Sequence, residues 1–241
     1  MQIVVRIGLL CLALGLSALP ARADEFTAAQ RAEIIQILRE ALKQDPSILR
    51  DAVNAMQADE TDRQKAALAA VKDKLIDPAD PVGGNPKGDV TIVEFFDTRC
   101  PYCRKLDPTM AELLARDRGV RLVYKDLPIL GPASVLGSKA LLAANRQGGY
   151  EKLRELVMGA PPDLTRPMLQ DLVRSAGLDW NRLERDMDDP AIEARIDSNR
   201  KLAQSIGIEG TPALVIGSEL IPGAVEIADL FKAVANARGA K

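Results

Sequence analysis

Histidine is absent from all 241 residues. That absence removes histidine catalytic triads and histidine metal sites from consideration. A basic excess is missing too: the formal net charge is -2, where a chain that neutralises many phosphates would be strongly positive. Nucleic acid is therefore not an expected partner. Cysteine is sparse, with three residues in the chain. The one long apolar run, residues 7–19, falls well short of the roughly 20 residues needed to cross a bilayer. It follows Arg6 and precedes Ala21-Arg22-Ala23, the small-x-small form of a signal-peptidase site. Residues 1–23 are thus expected to be an export signal cleaved near Ala23, which places the mature protein in the periplasm. Cys11 lies inside the apolar run and would be discarded with it.

Two cysteines then remain, Cys100 and Cys103. A bridge between them closes a loop too short to restrain the unfolded chain much, so the pair is read as chemistry and not as a staple. Pro101 suits the first position of a helix, so Cys100-Pro101-Tyr102-Cys103 places Cys100 at a helix N-terminus, where free amides and the helix dipole favour a thiolate. Cys100 is the expected nucleophile. Arg99, Arg104 and Lys105 add positive charge nearby. Cys103, one turn further in, is the expected resolving thiol, and Cys100–Cys103 the redox-active disulfide. Structural zinc wants four ligands, usually cysteine or histidine, and the mature chain offers two cysteines and no histidine, so zinc could bind only between chains or with carboxylates. Monovalent copper held by the two thiolates of Cys100 and Cys103 stays open, with Met110, Met158 and Met168 either further soft ligands or core packing. No cofactor is implied.

The remaining pattern is α/β. Residues 26–76 read as helix, with Ile34, Leu38 and Leu42, then Leu49, Val53 and Met56, at helical spacing. Asp45-Pro46 divides it, and the second helix could run about 30 residues from a Pro46-Ser47 first turn. The segment is either an amphipathic helix lying on the main domain or an oligomerisation stalk. Residues 59–65 are almost wholly charged or polar, a solvated helix face or a flexible point. Turn residues crowd 77–88, which cannot continue a helix and read as a boundary or hinge. Val90–Phe96 has the near-continuous apolar run of a strand covered on both faces. Residues 120–125 form a second strand, and strand, helix, strand argues for a βαβ unit. Residues 133–206 show only helical patterns, broken at Gly148-Gly149, Pro161-Pro162, Gly177 and Pro190. Strand returns at Ala213–Ile216 and near Leu220, and residues 224–237 close the chain as a helix. The expected division is 1–23 signal, 24–77 helical segment, 78–89 linker, 90–132 first part of the fold, 133–206 helical insertion and 207–241 second part.

Glu94 stands out as a carboxylate in an otherwise apolar strand, costly unless paired or protonated. It is either a structural acid, with Lys125 as partner, or a group that exchanges a proton with Cys103.

Val93-Glu94-Phe95-Phe96, the Cys100-Pro101-Tyr102-Cys103 motif, the long helical insertion and the late Gly210-Thr211-Pro212 resemble the DsbA-like branch of thioredoxin-fold proteins. The helical N-terminal segment, the 84–88 linker and Asp126-Leu127-Pro128-Ile129-Leu130-Gly131 narrow the likeness to ScsC-type periplasmic disulfide isomerases. The resemblance implies a thioredoxin fold with a helical insertion and an N-terminal helical extension. It also implies a cis Thr211–Pro212 bond beside Cys100, so that Thr211, Pro212, Pro101 and Tyr102 would contact substrate, and Glu94 beneath the cysteines as a proton relay. Tyr102 stands where DsbA has histidine and cannot supply an imidazolium. A potential below DsbA's roughly -120 mV, near the isomerase value of about -180 mV, is therefore expected. The implied partners are misfolded or cysteine-containing exported proteins, a membrane redox partner such as an ScsB- or DsbD-like reductase, and other copies of the chain in a homotrimer through residues 26–76. Three activities remain open: isomerase or reductase, dithiol oxidase, and copper binding.

Overall fold

The computed structural model describes residues 26–239, so the expected signal at 1–23 and Cys11 lie outside the described residues. The chain divides into two compact units, residues 1–56 and 57–241.

In the first unit, α1 (Ala28–Gln44) opens with a reciprocal cap. The Thr27 hydroxyl accepts from the Gln30 amide, and the Gln30 side chain accepts from the Thr27 amide. Asp45 ends α1, and its carboxylate accepts the Ser47 amide at 3.0 Å as α2 (Ser47–Ala70) begins. The helix has 24 residues and is followed by a single 3-10 turn at Lys72–Lys74, shorter than its apolar periodicity suggested. No residue of α1 is buried. Ile34, Leu38, Leu49, Val53 and Met56 are 39–72 % exposed, so within this unit the described residues leave the apolar stripe open.

The second unit is built on a five-stranded sheet in the order β1-β3-β2-β4-β5. Its strands are β1 (Val82–Gly84), β2 (Val90–Phe96), β3 (Val120–Asp126), β4 (Ala213–Ile216) and β5 (Glu219–Pro222). β2 and β3 are parallel, and the other three pairings are antiparallel. α3 (Pro101–Arg116) makes the crossover between the parallel pair. Side chains alternate across the central strand. Ile92 and Phe96 enter a core with α3 and the later helices, while Val93 and Phe95 enter another with Leu68, Leu75, Ala203 and Ile206. Burial on both sides explains why β2 reads as a continuous apolar run. The insertion comprises α4 (Pro132–Asn145), α5 (Tyr150–Gly159), α6 (Arg166–Ser175), α7 (Trp180–Met187) and α8 (Pro190–Ser205). Its breaks fall where glycine and proline stand. α9 (Ile227–Gly239) follows β5.

Residues 78–89 differ from a plain linker. They contain β1, which pairs with β3, and Asp80, which is 5 % exposed and bonded to Lys125 Nζ at 2.5 Å and Arg195 at 3.2 Å. Gly83 lets β1 pass, because a Cβ there would collide with the Glu151 carboxylate and the Tyr124 hydroxyl. Glycine pairs of this kind look like a turn in sequence; the ladder with β3 overrides that local preference.

Candidate redox site

Cys100 is the N-cap of α3, with extended backbone and Pro101 at the first helical position. Proline fixes the φ that the first turn requires and costs no hydrogen bond there. The Thr211–Pro212 bond is cis, and the Cys100 Sγ donates to the Thr211 carbonyl at 3.1 Å across 111 positions of sequence. The fold thus brings the cysteine motif and the Thr211-Pro212 loop together. Pro101 and Tyr102 are exposed, Tyr102 by 64 %. A groove of about 380 Å³ runs beside the proline loop, lined by Glu209, Gly210, Thr211, Leu220 and Pro222 among others.

Cys103 is fully buried. The Asp97 amide reaches its sulfur at 3.5 Å. Burial pushes the Cys103 thiol well above its usual range, and the nearby Cys100 and Glu94 charges push the same way, against the Asp97 amide. A thiol in this setting is a poor nucleophile until a base takes its proton.

Glu94 is that nearby carboxylate, itself completely buried. Burial raises its pKa, while Arg154 pulls it down. The Arg154 Nη2 lies 3.4 and 3.3 Å from the two Glu94 oxygens, and its Nη1 bonds to Asp107 of α3. The guanidinium lies over the rings of Phe96 and Tyr124, at 4.8 and 4.7 Å from their centroids. Lys125 is not the partner of Glu94. It stands in register with Phe95, whereas Glu94 stands in register with Tyr124, so Lys125 points to the opposite face of the sheet, where it meets Asp80.

The three cations expected to surround Cys100 are committed elsewhere. Arg104 donates to the carbonyls of Thr98, Val157, Met158 and Ala160, binding α3 to the end of α5. Arg99 bonds to Asp163 at 2.6 Å and to the Leu130 carbonyl. Lys105 faces Glu226 at 3.8 Å. Sequence reasoning also missed Asp97. Its carboxylate accepts the Arg99, Ile129 and Leu130 amides at 2.8–3.0 Å, tying the loop before Cys100 to the loop after β3. An aspartate directly after a buried strand was the available signal, since such a carboxylate needs several donors.

Among the described residues no group of three or more histidine, cysteine, aspartate or glutamate side chains could hold a metal ion. Met110 and Met158 belong to the core, and Met168 packs against it.

Comparison with known proteins agrees with this geometry. The chain is 32 % identical over 187 residues to the Na(+)/H(+) antiporter NhaA 3 of Salinispora tropica, a match that covers 73 % of this chain and 28 % of that protein. The chain therefore spans little more than a quarter of that relative's length. It is 26 % identical over 182 residues to the thiol:disulfide interchange protein DsbA of Burkholderia cepacia, covering 69 % of this chain and 85 % of that one. Among solved structures, a thioredoxin-like oxidoreductase from Silicibacter pomeroyi superposes with a TM-score of 0.67 at 44 % identity, over 69 % of this chain and 96 % of that one. A linker-deletion mutant of Proteus mirabilis ScsC gives a TM-score of 0.65 at 27 % identity, over 91 % and 100 %. The model of the DSBA-like thioredoxin domain matches residues 91–235, a span that takes in the cysteine motif, the helical insertion and the proline loop, so this chain belongs to the DsbA-like thioredoxin family.

Proposed function

We propose that the protein is an exported, periplasmic protein-disulfide isomerase and reductase. The observation that carries the reading is the pairing of a thiol at a helix start, 4 % exposed and next to the exposed Pro101 and Tyr102, with a fully buried one behind it. The Cys100 Sγ is held on the Thr211 carbonyl, and Cys103 is sealed beneath with its thiol pushed up. Cys100, as thiolate, attacks one sulfur of a substrate disulfide. A mixed disulfide forms, and the other substrate sulfur leaves as thiolate. In isomerisation that thiolate, or another in the substrate, attacks the mixed disulfide and restores Cys100. In net reduction Cys103 gives its proton to Glu94 through water, and its thiolate attacks the Cys100 sulfur. The second substrate thiolate leaves, and a Cys100–Cys103 disulfide remains with two electrons passed to substrate. A membrane reductase then returns the pair to the dithiol.

Substrate lies as an extended segment along Thr211 and Pro212, where backbone pairing is indifferent to side-chain sequence. Tyr102 and Pro101 supply the exposed contact beside it. The sequence resemblance to ScsC-type isomerases supports the isomerase direction, with an ScsC structure covering 91 % of the chain, as does the tyrosine in place of an imidazolium-bearing residue. The exposed apolar stripe of residues 26–56 supports assembly into a homotrimer through residues 26–76, in which several active centres hold one misfolded protein through repeated attacks. Refolding of a scrambled disulfide protein by the reduced enzyme tests the reading. Recovery of native disulfides with wild type, and none with Cys100→Ser, is the expected result. Dithiol oxidation without reshuffling would make the protein an oxidase instead.

A further inference from the structure

Behind the active-site loop lies a buried polar cluster that the exchange chemistry does not use. We propose that Asp126, with Thr98, Ser134 and Ser138, forms an internal proton-binding site that joins the helical insertion to the active-site loop.

The placement follows from the sheet. Asp126 ends β3 in register with Phe96 at the end of β2, and the Leu127 amide bonds back to the Phe96 carbonyl at 2.8 Å. α4 lies across these strand ends. At Gly137 an added Cβ would stand 2.5 Å from Thr98 Oγ1 and 3.2 Å from two Thr98 carbons, so Thr98 is seated directly against the helix. Ser134 and Ser138 flank Gly137 on the same helical face. Asp126, Ser134 and Ser138 have no exposed surface, and Thr98 has 1 %.

Thr98 Oγ1, Asp126 Oδ1, Ser134 Oγ and Ser138 Oγ each lack a hydrogen-bond partner among the described residues. Buried polar atoms are ordinarily satisfied, and one left over is costly. Buried oxygens of this kind are the groups that a shared proton or an exchanging water satisfies. Only Asp126 among the four can change charge at ordinary pH. Its Oδ2 accepts the Tyr150 hydroxyl at 2.8 Å, and its main-chain oxygen accepts from Asn199 Nδ2 at 3.0 Å. The groups acting on it are Tyr150 and Arg154 from α5, Ser138 from α4 and, at its main chain, Asn199 from α8. Burial pushes Asp126 up to about 7, against Tyr150, Ser138 and Arg154, which favour its ionised form. Ser138 acts at close range without a hydrogen bond of ordinary geometry.

Proton uptake therefore changes which partner each oxygen needs. The acid form donates from Oδ1 to a hydroxyl oxygen. The carboxylate instead requires hydroxyl protons turned toward it, from α4 on one side and from Thr98 on the other. Thr98 is two positions before Cys100, and its carbonyl holds Arg104 Nε at 2.9 Å, so the requirement reaches the cysteine helix.

The sign for stability is set by the raised folded value. Between the ordinary aspartate pKa and about 7 the folded protein keeps a proton that the unfolded chain has released. Stability contributed by that proton is full at low pH and is lost as pH rises through about 7.

Carboxyl-region infrared spectra of the full chain from pH 5 to 8.5 test the proposal, with Asp126→Asn as the difference reference. The expected result is a protonated-carboxyl band that disappears near neutrality in wild type and is missing from Asp126→Asn. Ser138→Ala and Thr98→Val, which each remove a donor to the carboxylate, should move the titration to higher pH. If Asp126→Asn does not fold, those two variants still report it. A band that titrates in the ordinary carboxylate range, or one that persists in Asp126→Asn, overturns the site. Titration unmoved by Thr98→Val overturns its link to the active-site loop.

Discussion

A serine at position 103 should leave Cys100 attached to its substrate. With the resolving sulfur gone, the mixed disulfide has no internal exit, so Cys103→Ser should accumulate covalent adducts visible on a non-reducing gel, and Cys100→Ser should accumulate none. Glu94→Gln should slow the resolving step on the order of 10²-fold, the lower end of general-base contributions, with the initial attack by Cys100 unchanged in stopped-flow measurement. Arg154→Met leaves the Glu94 carboxylate buried without its cation, a loss of about 3–5 kcal/mol in urea unfolding; an unchanged midpoint would show that Glu94 is neutral without it. Cys100, Cys103 and Glu94 stand out from residue type alone, because two cysteines three apart in a chain without histidine and a carboxylate in an apolar strand are each anomalous. Arg154 does not. It lies 60 positions from Glu94, and nothing local marks one arginine of the insertion as the one that turns inward.

At the scale of elements, the central strands were legible for a physical reason. β2 and β3 are covered on both faces, so their apolar runs are nearly unbroken, and α3 begins at a proline directly after the cysteine that caps it. β1 was not legible, since Val82-Gly83-Gly84 has no strand preference and forms a strand only because β3 lies alongside. The packing of α4 gives a further test. Gly137→Ala places a methyl against buried, β-branched Thr98, which has little freedom to yield. The variant should be destabilised by about 1–3 kcal/mol, even though alanine is the better helix former. Gly159→Ala, which meets nothing within 4 Å, should be neutral or slightly stabilising. Equal thermal shifts in the two variants would contradict this account of the helix seating.

For the whole molecule, the open question in the sequence was whether residues 26–76 pack on the main domain or on other copies. Ile34, Leu38, Leu49, Val53 and Met56 are the residues that the proposed assembly through other copies would cover. Paired Leu49→Lys and Val53→Lys substitutions should reduce the mass in light scattering to one third, keep insulin-type reductase activity and lower isomerase activity. Wild-type mass already that of one chain would refute the assembly. The direction of electron flow is also a whole-molecule property, because it depends on how the Cys100 thiolate, the buried Cys103 thiol and the surrounding charges balance in the two redox states. Cys100 lacks an imidazolium neighbour, and Arg99, Arg104 and Lys105 are engaged with carboxylates and carbonyls, so little extra stabilisation of the reduced form is on offer. The equilibrium potential of Cys100–Cys103 against glutathione tests this most directly: the account predicts about -180 mV, and a value near -120 mV would contradict it.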